Sequence, residues 1–163
     1  MNASAQVNNF ATAVYHLTSG PGTLSGGGTS YTVDFGTMIV NQPSRTLTLS
    51  LGNEAAGPAD SLAGSFVLNP GNYQLSNFSN FTGLLTGQSL NTLSIGFNPN
   101  QVGTFTGTIT LSPRSQNSSG FDGPLSSIVM DVSGVVLVPE PSSAILAGLG
   151  ALALAARRRR ASR

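Results

Sequence analysis

At 163 residues the chain has room for one ordinary domain and a tail, not for two full domains. Only 8% of residues are charged and 7% aromatic, against 20 glycines and abundant Ser, Thr and Asn, so the polar surface is built from hydroxyls and amides. Cys, Trp and Lys are absent, which excludes disulfides, thiolate metal sites, a cysteine nucleophile, and Schiff-base or P-loop lysine chemistry.

The net charge of +1 hides two halves of opposite sign. Residues 1–138 set five acids against Arg45 and Arg114, giving −3; residues 139–163 set Glu140 against five arginines, giving +4. Without its tail the domain is mildly acidic and has nothing basic to neutralise phosphates, so nucleic acid is not an expected partner.

In chain order, residues 1–30 read as an N-terminal strand or linker region with one weak strand, Ala13–Leu17. They lack the basic and hydrophobic parts of a signal peptide. Ala3-Ser4-Ala5 before Gln6 has the small-x-small form of a signal-peptide end, as from an upstream translation start, and in a chain this rich in small residues chance gives the same triplet.

From Tyr31 to Leu137 apolar residues recur at period two between Gly, Pro and Asn clusters, the pattern of half-buried strands without an amphipathic helix. The clearest runs are Leu47-Leu49-Leu51, Leu93-Ile95-Phe97, Phe105-Ile109-Leu111 and Ile128-Met130-Val132. Tyr31–Phe35, Leu62–Leu68 and Tyr73–Leu75 are weaker. Seven or eight short strands at this spacing predict an all-β, antiparallel immunoglobulin-like sandwich over 31–137. Turn signals fall at Gly26-Gly27-Gly28, Asn53 to Pro58, Asn69-Pro70-Gly71, Asn98-Pro99-Asn100 and Ser115 to Gly123.

Several landmarks carry a family resemblance: Val33-Asp34-Phe35-Gly36, Leu47 to Asn53, Ile95-Gly96-Phe97-Asn98-Pro99, Val102-Gly103-Thr104-Phe105 and Val132-Ser133-Gly134. In this order they resemble the choice-of-anchor and ASH (Hydin-type) immunoglobulin-like domains. Glu54 departs from the pattern, which usually has a small residue and Gly after the Asn. The resemblance implies Greek-key strands and no catalytic inheritance.

The tail, residues 138–163, has three parts. Val138, Pro139, Glu140 and Pro141 are followed by an uncharged apolar run within Ser142 to Ala156, and then by Arg157, Arg158, Arg159 and Arg160. Two prolines hold the first part extended and poor in backbone donors, as a processing enzyme needs. A helix over the fifteen residues 142–156 would be about 22 Å long, short of a ~30 Å hydrocarbon core, and the arginines after it would stay on the cytoplasmic side. The order of parts resembles the PEP-CTERM sorting signal. That resemblance implies recognition by an exosortase, cleavage near Pro-Glu-Pro, a membrane contact through the C-terminal helix, and delivery from the inner membrane to the outer surface or beyond.

Other candidates weigh less. His16 lacks a Gly-x-Ser-x-Gly elbow and reads as a surface histidine. The carboxylates Asp34, Glu54, Asp60, Asp122 and Asp131 are dispersed, so they read as solvated caps rather than a glycosidase pair. No Asp-x-Asp pattern suggests calcium, and neither a metal nor a cofactor is expected. Asn77, Asn80 and Asn117 head glycosylation-type triplets but read as turn residues. Tyr73, Phe78 and Phe81 suit either a core or an exposed platform for sugars. The expectation is a structural or adhesive envelope module, not an enzyme, with exopolysaccharide as a further partner; a secreted carbohydrate-binding module and a tail-anchored membrane protein are the alternatives.

Overall fold

The computed structural model describes residues 7–139, and these contain strands and no helix. Eleven strands are present: β1 Ala13–Ser19, β2 Thr23–Gly27, β3 Ser30–Ile39, β4 Arg45–Asn53, β5 Ser61–Asn69, β6 Tyr73–Ser76, β7 Phe81–Leu84, β8 Ser89–Phe97, β9 Gly103–Gln116, β10 Asp122–Pro124 and β11 Ile128–Leu137. One sheet has the order β1-β4-β8-β6; the other runs β2-β3-β11-β9-β5-β7, with β10 paired to β9.

All pairs are antiparallel except β11 on β3, which is parallel from Val129↔Ser30 to Leu137↔Ile39. With β1, β4, β8 and β6 as A, B, E and D, and β11, β9 and β5 as G, F and C, this is an immunoglobulin-like strand order. The eight strands expected from period two are all in place. The three unforeseen ones, β2, β7 and β10, are short additions with too few apolar residues to show a period.

The expected strand Ala13–Leu17 joins the sandwich as β1, paired with β4, and the unforeseen β2 pairs with β3. The turn expected to begin at Ser115 begins later, since β9 continues through Pro113, Arg114 and Ser115 to Gln116. Proline is tolerated there because the Pro113 carbonyl accepts from Leu125 N, so its donor-less nitrogen faces the segment between β10 and β11 rather than the β5 ladder.

The core follows the alternation. Leu47, Leu49 and Leu51 of β4 and Leu93, Ile95 and Phe97 of β8 face Val33, Phe35, Ile109, Leu111, Met130 and Val132 across the sandwich, all essentially buried. Each such side chain contributes about 1.5–3 kcal/mol by leaving water. Near the end where β11 finishes, Phe97 packs on Tyr73, Phe105 and Phe35, with centroids 4.8, 5.2 and 5.7 Å away. The Tyr73 hydroxyl donates to the Phe105 carbonyl at 3.1 Å. A bulge admits this cluster: Phe35 and Gly36 of β3 stand opposite the single residue Gly134, and Gly36 takes φ +68°.

Candidate functional site

The sandwich has two poles of different character. β11 ends at one of them, between the loops of residues 40–44, 70–72 and 98–102. There Val40 N donates to Leu137 O and Asn41 N to Pro99 O, which fixes the chain exit against two neighbouring loops. Val138 and Pro139, the first residues of the expected recognition segment, leave the last strand exposed. Glu140, Pro141, the expected helix Ser142 to Ala156 and Arg157 to Arg160 lie outside the described residues, as do Ala3 to Gln6. Among the described residues no helix is long and apolar enough to cross a membrane.

The opposite pole holds a buried polar network. Asn53, fully buried, accepts through Oδ1 from Thr12 N and Ala55 N and donates through Nδ2 to the carbonyls of Asp60 and Leu84. The Asp60 carboxylate, also buried, accepts from Ser115 Oγ at 2.9 Å, Asn8 Nδ2 at 3.1 Å and Asn117 Nδ2 at 3.3 Å. Ser115 Oγ in turn accepts from Ala11 N. The network ties the segment before β1 to β4, β5 and the end of β9, so its work is structural.

This corrects the reading of Asp60 as a solvated cap. Its burial acts to raise the pKa, but the hydrogen bonds from Asn8, Ser115 and Asn117 outweigh it and hold the carboxyl below the ordinary range. The other acids among the described residues are solvent-side. Asp34 accepts from Gly36 N, Asp122 pairs with Arg114 at 2.7 Å, Asp131 accepts from Thr108, and Glu54 pairs with His16. Among the described residues no three His, Asp or Glu side chains are grouped to hold a metal ion.

The expected turns Asn53 to Pro58 and Ser115 to Gly123 passed over the polar network, although the alternation carried a signal for two of its members. Asn53 continues the odd-numbered run Leu47, Leu49, Leu51, and Ser115 continues Ile109, Leu111, Pro113, so both had to point inward. The sugar-platform reading fails, because Tyr73 and Phe78 are buried and Phe81 packs against Phe66. Asn77, at φ +67° with its amide donating to Thr92 O, is the turn residue expected.

Stability is expected to fall at both ends of the pH scale. Asp60, with its depressed folded pKa, contributes fully above the unfolded carboxylate pKa near ~3.9, and that contribution is lost as pH falls through the folded value. Tyr73 is pushed up to about 12 by burial and then by the charge of Asp34, and Tyr15 is raised by burial and by Tyr31. Their contribution is full below the unfolded pKa near ~10 and is lost as pH rises through the folded values. Melting temperature against pH should show both flanks, and Asp60→Asn should lower the plateau and flatten the acid flank alone.

Residues 137–160 match the PEP-CTERM protein-sorting motif. No curated protein matches the chain. Among solved structures, the ASH / PapD-like domain 7 of human CEP192 is similar over 86% of this chain and 99% of its own, with a TM-score of 0.48 and 16% identity. AggA, the major subunit of aggregative adherence fimbriae type I from Escherichia coli, is similar over 82% of this chain and 100% of its own, with a TM-score of 0.48 and 12% identity. WR4, a C. elegans MSP family member, is similar over 63% and 91%, with a TM-score of 0.41 and 11% identity. The immunoglobulin-like order rests on this chain's own strand pairing.

Proposed function

We propose that this chain is an exported envelope or matrix protein whose tail is read by an exosortase and cut near Pro139-Glu140-Pro141, and whose sandwich then serves outside the cell as a structural or adhesive module. The single observation that carries the reading is the sorting motif at 137–160, with its proline-flanked acid, uncharged apolar run and arginine block in that order. The exposure of Val138 and Pro139 beyond the last strand supports it, because an enzyme reaches such a segment without unfolding the domain. In this reading 142–156 spans the membrane with local thinning or snorkelling, and Arg157 to Arg160 hold the cytoplasmic side. Exopolysaccharide is a partner open to the hydroxyl- and amide-rich surface. No catalytic role is assigned to the domain.

The test is the double substitution Glu140→Ala, Pro141→Ala in an exosortase-bearing host. Insertion depends on the apolar run and the arginines, which are unchanged; recognition depends on the extended, donor-poor segment and its carboxylate, which are lost. The double variant is expected to stay full-length in the inner membrane while the parent is shortened near residue 140 and leaves it. Equal shortening and release of both, read by mass and fractionation, would replace the sorting signal with a plain anchor.

A further inference from the structure

Two features coincide at the tail-exit pole, whereas at the opposite pole the exposed Phe10, Leu85 and Phe121 stand among the charged groups Asp60, Arg114 and Asp122. The loops of the tail-exit pole, residues 40–44, 70–72 and 98–102, and the exit residues 138–139 contain no charged side chain. Arg45 stands at its margin, donating to the Phe35 carbonyl. The pole also exposes Leu137, Val138 and Val102, at 47, 59 and 52% of their surface, and the register Val136↔Gly103 brings the three to one place. The charges of Glu54, Asp60, Arg114 and Asp122 lie at the opposite pole, about 30 Å away along strands of nine or ten residues.

The tether is short. Six residues separate Leu137 from Ala144, where the apolar run begins, and two of them are proline. Extended, they reach about 20 Å. Several ångströms of that are taken up by the headgroup layer between hydrocarbon and water. A domain on so short a leash does not tumble freely above the bilayer, and the part that meets the bilayer is the pole from which the leash leaves.

Resting on the membrane-spanning reading of 142–156 given above, we propose that before cleavage the sandwich stands pole-down on the lipid interface, with Val102, Leu137 and Val138 in the headgroup–acyl boundary. Approach costs little there because no charge has to be desolvated. The remaining groups, Asn41, Asn98 and Asn100 among them, are neutral amides suited to headgroups. The charged groups Glu54, Arg114 and Asp122 stay in water at the far pole. The contact would hold Pro139-Glu140-Pro141 at a fixed depth, and cleavage would free the domain from the tail anchor, since three apolar side chains alone bind a bilayer weakly.

The natural chain has no cysteine, so a single one is unique. Full-length Val102→Cys and, as the far-pole reference, Ser118→Cys, each carrying an environment-sensitive fluorophore, are reconstituted in phosphatidylcholine vesicles. A second pair has sixteen Gly/Ser residues inserted between Val138 and Pro139. With the natural linker, the label at 102 is expected to be several-fold less quenched by aqueous iodide than the label at 118. With the long linker most of that protection is expected to be lost while the chain still floats with the vesicles. Chains that float but show equal quenching at 102 and 118 overturn the pole-down contact and leave the anchor intact. Chains that do not float overturn the membrane-spanning reading and the contact with it. Protection that arises only when an exosortase is co-reconstituted overturns the proposal by assigning the face to the enzyme.

Discussion

Replacing Asn53 with alanine is expected to destabilise the sandwich by about 3–5 kcal/mol, a large part of the ~5–15 kcal/mol a domain of this kind possesses. The side chain satisfies two backbone donors, Thr12 N and Ala55 N, and two backbone acceptors, the carbonyls of Asp60 and Leu84, where water has no access. A buried group left without its partner costs about 1–3 kcal/mol, and water entering the space an alanine leaves would re-satisfy some of the four. Asn53→Leu separates this account from one based on volume. Leucine fills the space and keeps water out, so it should be at least as destabilising as alanine, whereas a packing explanation makes it the milder change. Urea unfolding of a chain ending at Val138 reads both, and a leucine variant close to the parent would remove the network from the fold's energetics.

The same residue shows how far the sequence carries. Period two placed Leu47, Leu49 and Leu51 on the buried face, and the sandwich followed from eight such runs. Applied one step further it also places Asn53, Ser115 and, ahead of Leu62, Asp60 on that face, where a polar residue has to be bonded. What period two could not supply was the partner list. Thr12 and Asn53 are 41 positions apart and Asp60 and Ser115 are 55 apart, and only the folded strand order brings them together. The short strands β2, β7 and β10 were illegible for a different reason, since they are defined by the neighbours they pair with rather than by their own residues. The tail is the reverse case: its signal lies in local order and composition, so it was read without any fold.

Phe97→Ala should cost a similar ~3–5 kcal/mol by another mechanism, the loss of a buried ring and the cavity it leaves. Phe97 is 1% exposed and packs on Phe35, Tyr73 and Phe105, on the strand end that leads into the loop of the tail-exit pole. The neighbours have little freedom to close the gap: Phe35 is fixed by the bulge at Gly36, and Tyr73 by its hydrogen bond to Phe105 O. Phe97→Leu, which keeps most of the volume, should cost only about 1–2 kcal/mol. A second readout tests the cavity itself. Burial is the first cause of the raised Tyr73 pKa, so water admitted beside its ring should bring the phenol down from about 12 toward ~10, within a spectrum that contains only three tyrosines. Alkaline absorbance titration of the folded alanine variant should therefore show one tyrosine ionising earlier than in the parent. An unchanged titration together with a large loss of stability would mean that the cluster collapses onto the gap, and that the cost is strain in the surrounding strands rather than an open cavity.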